Sequence, residues 1–594
     1  MEKIVVLDFG GQYAHLIANR IRRLNVFSEI LEPDASTEQL RKAAGIILSG
    51  GPASVYEENA PEFNRELFTL GIPVLGICYG HQLAMHELGG IVEKGERQEY
   101  GIATLECGGK NQLIEGLRAK EQVWMSHADC VKKLPEGFKC IASTQDCENA
   151  LVADEKRRIF GMQFHPEVVH TPNGMRILEN FLDICGCRKD WTMKNYASQK
   201  IEEIKEQVKE KKVFLLASGG VDSTVCLSLF NKALGNERVL ALHIDNGLMR
   251  KDESRLVMKA LEKQGFENLM IEDASEYFLE KTAGVTDPEE KRKIIGTAFI
   301  EVQRKCLEKI GLNPEEWLLG QGTIYPDTIE TGRTKNSAVI KTHHNRVEVI
   351  QKMIEQGKVI EPLNLLYKDE VREIGKELGL PEELIWRHPF PGPGLGVRAL
   401  CTAGNDSEVD AETIGKVQEI ARESGFESTV LSLKSVGVQG DHRTYRHPAV
   451  LNGIAEWDTL EKASTAITNE VREVNRVVWL IAGEINERTQ PATLTKERLD
   501  SLRIADAIVE EELLQSGLYG KVWQFPVVLA PLDIRGKEAV ILRPVYSTEA
   551  MTARFADLPL EFVKKVSGRI MNTGKFGAVL YDVTHKPPGT IEWE

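Results

Sequence analysis

No stretch of the chain approaches the roughly 18 consecutive apolar residues that a membrane helix needs. The opening MEKIVVLDFGGQ lacks the longer apolar core and cleavage site of a signal peptide. A cytoplasmic protein without a membrane partner is therefore expected. Its ten cysteines include no C-x-x-C pair, which argues against a structural zinc site or a disulfide scaffold. Cys185 and Cys187 are neighbours, but no metal is expected there. Positive charge is also short, with 74 Lys+Arg against 89 Asp+Glu and a formal net charge of −15. Nucleic acids and anionic membranes both need a positive field to bind nonspecifically, so neither is expected as a partner. Any anionic small substrate must be met by local basic residues.

What the chain does have is length and an ordinary apolar share. At 594 residues it exceeds the roughly 250–300 residues at which a single core stops growing, so several domains are expected. A content of 42% hydrophobic and 27% charged residues is that of a globular protein. Up to about residue 187, short apolar runs (KIVVLDFG, GIILSGGP, IPVLGIC) alternate with candidate helices, the pattern of an α/β domain with a mainly parallel sheet. Residues 188–211 are charge-rich, with helical spacing through Ile201, Ile204 and Val208, and read as a helical linker. A second α/β pattern starts at VFLLAS and continues through VLALHID, giving a domain over 212–387. The Pro/Gly cluster HPFPGPGLG then breaks regular structure, and 388–594 reads as an α+β domain. Within it, SVGVQGDHRTY followed by NRVVWLI resembles AVILRPVYSTEAM followed by GAVLYDV, so two related subdomains are expected. The fold class is thus α/β, with two successive mainly parallel domains followed by an α+β C-terminal domain.

Gly76-Ile77-Cys78-Tyr79-Gly80 follows an apolar strand and precedes a helical run, the thiol counterpart of the G-x-S-x-G nucleophile elbow. A cysteine after a strand is ordinarily a small buried hydrophobe. The flanking glycines instead point to a strained turn that lifts the sulfur toward a helix N-terminus, where a thiolate is favoured. A thiol nucleophile needs a base and a group that orients it, and GMQFHPE supplies His165 and Glu167. The loop SGGPASVY offers the amides of Gly50 and Gly51 as oxyanion donors. These motifs resemble class I glutamine amidotransferases over residues 1 to about 187. The resemblance implies that glutamine forms a thioester with Cys78 and releases ammonia, with Tyr79 near the oxyanion hole and Gln82 and the WMSHAD segment lining the glutamine pocket.

Ser218-Gly219-Gly220-Val221-Asp222-Ser223-Thr224 lies between the strand KVFLLA and the helix VCLSLF, so its amides and a helix N-terminus face one anion. The G-K-[ST] ending of a Walker loop is missing, and with it the lysine that grips the β and γ phosphates. The segment resembles the loop of N-type ATP-pyrophosphatases, which cleave ATP at the α phosphate and hold the leaving pyrophosphate. That resemblance implies AMP as a product and Mg²⁺ as a cofactor held with ATP, Asp222 being the metal ligand.

Two such sites leave the nitrogen acceptor open. EEKRKIIG, GQGTIYPD, IKTHHN, RHPFPGPGLG, VGVQGD and KPPGTIEWE all resemble the GMP synthetases, and with the two sites they cover nearly the whole chain. This implies an enzyme that adenylates xanthosine monophosphate and displaces AMP with ammonia from glutamine. By the same resemblance Arg292, Asp441 and Arg443 contact that nucleotide, Gln524, Lys586, Ile591 and Glu592 complete its pocket, and Pro391, Gly392 and Pro393 form a backbone wall. Lys341, with His343 and His344, would sit on a lid over ATP. The region between Asp441 and Lys537 is longer than in short bacterial members and resembles a long form with an extra subdomain, so a monomer and a homodimer both stay open. Two other synthetases fit less well: an NAD synthetase ordinarily carries a nitrilase-type glutaminase, and an asparagine synthetase has its nucleophilic cysteine at the extreme N-terminus, where this chain has Glu2. A glutamine or nucleotide sensor would bind its ligand without turnover, and it would not need Cys78, His165 and Glu167 together.

Overall fold

The computed structural model describes residues 2–11, 13–57, 60–313, 315–328, 353, 356–404, 408–439, 442–547 and 552–594. Lys341, His343, His344 and Asp441 lie outside these residues. The chain forms two compact units, one built from the described parts of Met1–Gln199 and Tyr325–Lys341, the other from those of Lys200–Ile324 and Thr342–Glu594. The linker region folds as the helix Met193–Val208. Among the described residues no helix is long and apolar enough to cross a membrane.

In the first unit the strands are β1 (Lys3–Leu7), β2 (Phe27–Leu31), β3 (Gly45–Leu48), β4 (Val74–Ile77), β5 (Ile91–Cys107), β6 (Lys120–Lys133), β7 (Lys139–Ser143), β8 (Leu151–Asp154) and β9 (Ile159–Met162). They make one sheet in the order β2-β1-β3-β4-β9-β8-β7-β5-β6. The strands from β2 to β9 pair in parallel, and every residue of β3 and β4 is buried. Uninterrupted apolar runs are what a parallel sheet covered on both faces requires. Beyond β9 the sheet continues antiparallel. There β6 alternates buried with exposed or half-buried positions, as a strand with one solvated face does.

Among the described residues the second unit holds two larger sheets and a two-stranded one. The first comprises β10 (Lys212–Leu216), β11 (Val239–Asp245), β12 (Leu269–Asp273), β13 (Trp317–Gly320) and β14 (Val359–Ile360), all parallel, in the order β12-β11-β10-β13-β14. The strand order reverses at β10, so the carboxyl end of β10 opens onto a crevice where α/β sheets bind ligands.

The other sheet contains β15 (Glu427–Val430), β16 (Ser435–Gln439), β17 (His442–Asn452), β18 (Val474–Gly483), β19 (Val527–Ile534) and β20 (Lys537–Leu542). It also has β23 (Phe576–Asp582), while the short β21 (Val545–Tyr546) and β22 (Arg554–Phe555) pair apart from it. Its main order, β15-β17-β18-β23-β20-β19, has matching halves. In each half an antiparallel pair (β15/β17, β19/β20) is followed by a crossover helix (Trp457–Glu470, Leu560–Asn572) and a strand parallel to the second of the pair. A helix precedes each half, Ala411–Glu423 and Lys496–Gln515, and β18 meets β23 antiparallel at the seam. NRVVWLI and GAVLYDV occupy equivalent strands, β18 and β23. The counterpart of β20 is β17, and β16, the SVGVQ run, stands outside the repeat as a hairpin partner of β17.

Candidate active sites

Cys78 is the residue between β4 and the helix Tyr79–Glu87, and its backbone sits at φ 51°, ψ −105°. A non-glycine residue held there stores about 1–3 kcal/mol of strain. Two close approaches enforce the turn. A Cβ on Gly76 would stand 2.4 Å from the Gly80 carbonyl oxygen, and one on Gly80 would stand 2.3 Å from that of Leu48. The Cys78 amide is tied to the Met162 carbonyl at 2.8 Å, fixing the elbow to β9.

The continuation of β9 brings His165 and Glu167 to the same place. The Nδ1 of His165 lies 2.7 Å from Glu167 Oε1, both side chains being almost fully buried. The Cys78 thiol is close enough to favour the charged imidazole, and its sulfur lies 3.6 Å from the Ser126 carbonyl oxygen. Burial alone would push the His165 pKa down. The adjoining carboxylate and thiol overcome that and carry it up to about 11. The three groups thus have the arrangement that a nucleophile, a base and an orienting acid require.

Gly50 is beside the pair: a Cβ there would lie 3.3 Å from His165 Cε1 and 3.8 Å from Cys78 Cβ. Gly51 packs on Phe9 and the Tyr79 ring. Tyr79 is buried with its hydroxyl unpartnered among the described residues, and burial raises its pKa to about 12. Gln82 is committed to the protein: its amide donates to the Asp129 carbonyl at 2.8 Å and to Gln163 Oε1 at 3.2 Å. Gln163 in turn reaches Cys78 Sγ at 3.7 Å. The Asp129 carboxylate accepts from Ser54 and Tyr56.

In the second unit, the loop after β10 turns at Gly219 (φ 78°) into the helix Val221–Leu234, whose N-cap Gly220 provides no side-chain cap. The first amides of that helix are therefore open to an anion. The hydroxyls of Ser218, Ser223 and Thr224 bond one another or the Gly220 main chain and brace the loop. One Asp222 oxygen pairs with Lys368. The other is buried without a hydrogen-bond partner among the described residues, as a carboxylate that takes a hard cation would be. Arg387 donates to the Gly219 carbonyl at 3.3 Å and pairs with Glu253. Among the described residues no cluster of three or more ligands forms a preassembled metal site.

The residues expected at the acceptor gather in two groups. Arg443 and Arg292 meet at one carboxylate, Glu289 Oε1, at 2.7 and 3.5 Å. Glu592 accepts from Arg398 at 3.1 and 2.9 Å and from Gln524 at 3.2 Å. Gln524 also donates to the Pro389 carbonyl at 2.9 Å, next to the Pro391-Gly392-Pro393 turn, which closes through Gly394 N–H to Pro391 O at 2.8 Å. Lys586 and Ile591 lie on the same C-terminal segment as Glu592. Lys586 is half-buried, pairs main chain to main chain with Ala553, and has its pKa lowered by burial.

A sequence profile for class-I glutamine amidotransferases matches residues 5–185, one described as NAD synthase matches 193–293, and one described as GMP synthase C terminal domain matches 416–493 and 511–593. A Leptospira interrogans protein named "Probable GMP synthase (glutamine-hydrolyzing)" is 48% identical over 602 residues, spanning 100% of this chain and 99% of its own length. A GMP synthase (glutamine-hydrolyzing) of Carboxydothermus hydrogenoformans is 42% identical over 604 residues with the same coverage. The chain belongs to the glutamine-hydrolysing GMP synthase family. As a GMP synthase it is a ligase that forms GMP from xanthosine monophosphate, using ATP and the amide nitrogen of glutamine.

Lys368 at the phosphate loop and Arg398 at Glu592 were not picked out from the sequence, whereas Arg387 and Glu289 entered it only as the first residues of RHPFPGPGLG and EEKRKIIG, with no role of their own. Lys368 had a faint signal, a lysine opening the charged helix Lys368–Glu377 after an apolar run. Arg398 directly follows the glycine-rich GPGLGV turn.

Proposed function

We propose that GMP is made in two coupled reactions on this chain, with the residues above in the following roles. At the first site, the Cys78 sulfur attacks the glutamine carboxamide while His165 manages the proton, first held by the thiol and then given to departing ammonia. The amides at Gly50 and Gly51 receive the oxyanion. Water then hydrolyses the thioester. At the second site the C2 oxygen of xanthosine monophosphate attacks the α phosphate of ATP, expelling pyrophosphate into the Ser218–Thr224 loop. Ammonia adds at C2 and AMP leaves, a far better leaving group than the original oxygen.

The observation that carries this reading is the Asp222–Lys368 arrangement at a phosphate loop without a Walker lysine. The amides and Lys368 suit a departing pyrophosphate, and the unpartnered Asp222 oxygen suits Mg²⁺, which when bound would neutralise charge on the phosphates. Arg292 and Arg443 would take the nucleotide's 5′-phosphate, and Glu592 and Gln524 its base or ribose. Lys341 and Asp441 complete the ATP and nucleotide sites in this reading, which places the enzyme in the cytoplasm. Domain limits at 187, 211 and 387 and a C-terminal region of two related halves are part of the same proposal.

The test is product analysis. Xanthosine monophosphate, ATP, Mg²⁺ and glutamine should give GMP and AMP in equal amounts. Cys78→Ala should abolish the glutamine-driven reaction and keep that driven by ammonium; loss of both would sink the two-site assignment.

A further inference from the structure

The C-terminal segment carries Glu592 toward the acceptor, and the residues just beyond it are held by a buried cluster with no assigned role. Trp593 is fully buried, and its Nε1 donates to Asp582 Oδ2 at 3.0 Å beneath the Arg476 guanidinium. Glu594 is buried too, and its carboxylate forms an ion pair with Lys291, whose side chain is 0% exposed. The Lys291 ammonium also donates to the Ala399 carbonyl at 3.2 Å and to Cys401 Sγ at 3.5 Å. The other Glu594 oxygen accepts from the Cys401 amide at 3.4 Å. The main-chain oxygen of Glu594 accepts from Arg292.

Lys291 and Arg292 are consecutive near the start of the helix Pro288–Ile310, where side chains diverge by roughly 100°. One can be an anchor while the other reaches a ligand. Glu592 and Glu594 are likewise on one short segment, one at the acceptor pocket and one at the anchor. The ion pair therefore links the element that carries Arg292 to the element that carries Glu592.

We infer that Lys291 and Glu594 are positioning residues for the acceptor nucleotide: their pair sets the spacing between Arg292 and Glu592. This rests on the reading that those two residues contact xanthosine monophosphate. A buried ion pair is an expensive way to gain stability, since apolar residues of similar volume often serve as well. What the pair offers beyond packing is a directional, fixed-length connection.

The experiment measures ammonium-driven GMP formation with xanthosine monophosphate varied, alongside the thermal midpoint, in Lys291→Met, Glu594→Gln and the double variant Lys291→Met/Glu594→Met. The single variants should raise KM for xanthosine monophosphate roughly tenfold or more, the scale expected when a contact is displaced by a fraction of an ångström. Glutaminase activity and KM for ATP should stay within about twofold of the parent. The double variant removes both charges and should regain the parent's midpoint while KM stays raised. Recovery of both quantities in the double variant, or a lower midpoint with unaltered KM in the singles, would overturn the inference and leave the pair a packing feature. Arg292→Ala is the companion control. An unaltered KM there refutes the contact assignment itself, whereas a raised KM there with an unaltered one in Lys291→Met refutes the positioning role alone.

Discussion

His165 and Glu167 are separated by one residue in sequence and 2.7 Å in space, and the carboxylate holds the imidazole Nδ1 in an almost dry environment. The pairing has a thermodynamic signature. The folded-state pKa of His165 is raised, to about 11, against about 6.5 for a free imidazole. Stability from the charged imidazole is thus fully present below about 6.5 and is lost as pH rises toward the folded value. Glu167→Gln removes the main opposing cause and leaves burial, which lowers the pKa. Between pH 7 and 10 the parent should lose more thermal stability than Glu167→Gln, with the gap narrowing as pH increases. Parallel melting curves across that range would show that His165 is not charged in the folded protein.

The Asp222–Lys368 pair predicts a different pattern from the thiol site. Asp222→Asn keeps the shape of the loop but withdraws the carboxylate charge. Lys368→Met removes a cation at the loop mouth. Each should lower both glutamine- and ammonium-driven GMP formation by at least roughly 10²-fold, the scale for losing a preorganised charge at a transition state. Glutaminase activity should survive. Pyrophosphate release with ammonium as nitrogen source checks this; a normal rate in Asp222→Asn would remove it from ATP chemistry.

The turn at Cys78 and the loop at Ser218–Thr224 were legible because each is written locally. Gly76, Cys78 and Gly80 are fixed within one turn, and Ser218–Thr224 is fixed by the strand before it and the helix after it. Apolar runs such as those of β3 and β4 likewise announce buried parallel strands. What could not be read was chemistry assembled across long separations. Lys368 meets Asp222 across 146 positions and Arg398 meets Glu592 across 194, and no periodicity encodes such contacts. The antiparallel extension of the first sheet was missed for a related reason: apolar alternation in β6 shows a half-open strand but not its partner. In the C-terminal region the likeness of the apolar runs of β18 and β23 agrees with their equivalent places in the sheet order. The expected repeat was out of step at SVGVQ, because strand equivalence depends on pairing, which places β17 opposite β20 in the repeat.

Gly80 gives a steric prediction. A Cβ placed there would stand only 2.3 Å from the Leu48 carbonyl oxygen and 2.5 Å from Leu48 Cβ, far inside contact distance. Both neighbours are in the buried core of the sheet, so neither can retreat cheaply. Gly80→Ala should cost about 1–3 kcal/mol or more, as overpacking does, and should disturb the elbow enough to depress glutaminase turnover. Chemical denaturation of the variant checks the first effect. An alanine tolerated at parental stability would mean that the helix Tyr79–Glu87 is free to shift away from β3.

Asp582 lies at the centre of the fully buried triad Arg476–Asp582–Arg543, with Oδ2 2.8 Å from Arg476 and Oδ1 3.1 Å from Arg543. Two guanidinium groups on one carboxylate leave a net positive charge, and burial already lowers the Arg476 pKa to about 10. Arg476 also donates to the main chain of Val436, Thr590 and Glu592, so the triad anchors the segment that carries Glu592. Asp582→Asn keeps the volume but leaves two buried cations without a counterion. Removing one partner from a buried ionic group costs about 3–5 kcal/mol, and urea unfolding of the variant should show a loss on that scale. The damage should extend to function: the Trp593 indole loses its charged acceptor, the segment loosens, and KM for xanthosine monophosphate rises while glutaminase activity in the first unit is unchanged. A variant with parental unfolding but raised KM would separate the two roles, assigning Asp582 to placement of the segment and stability to the surrounding apolar core.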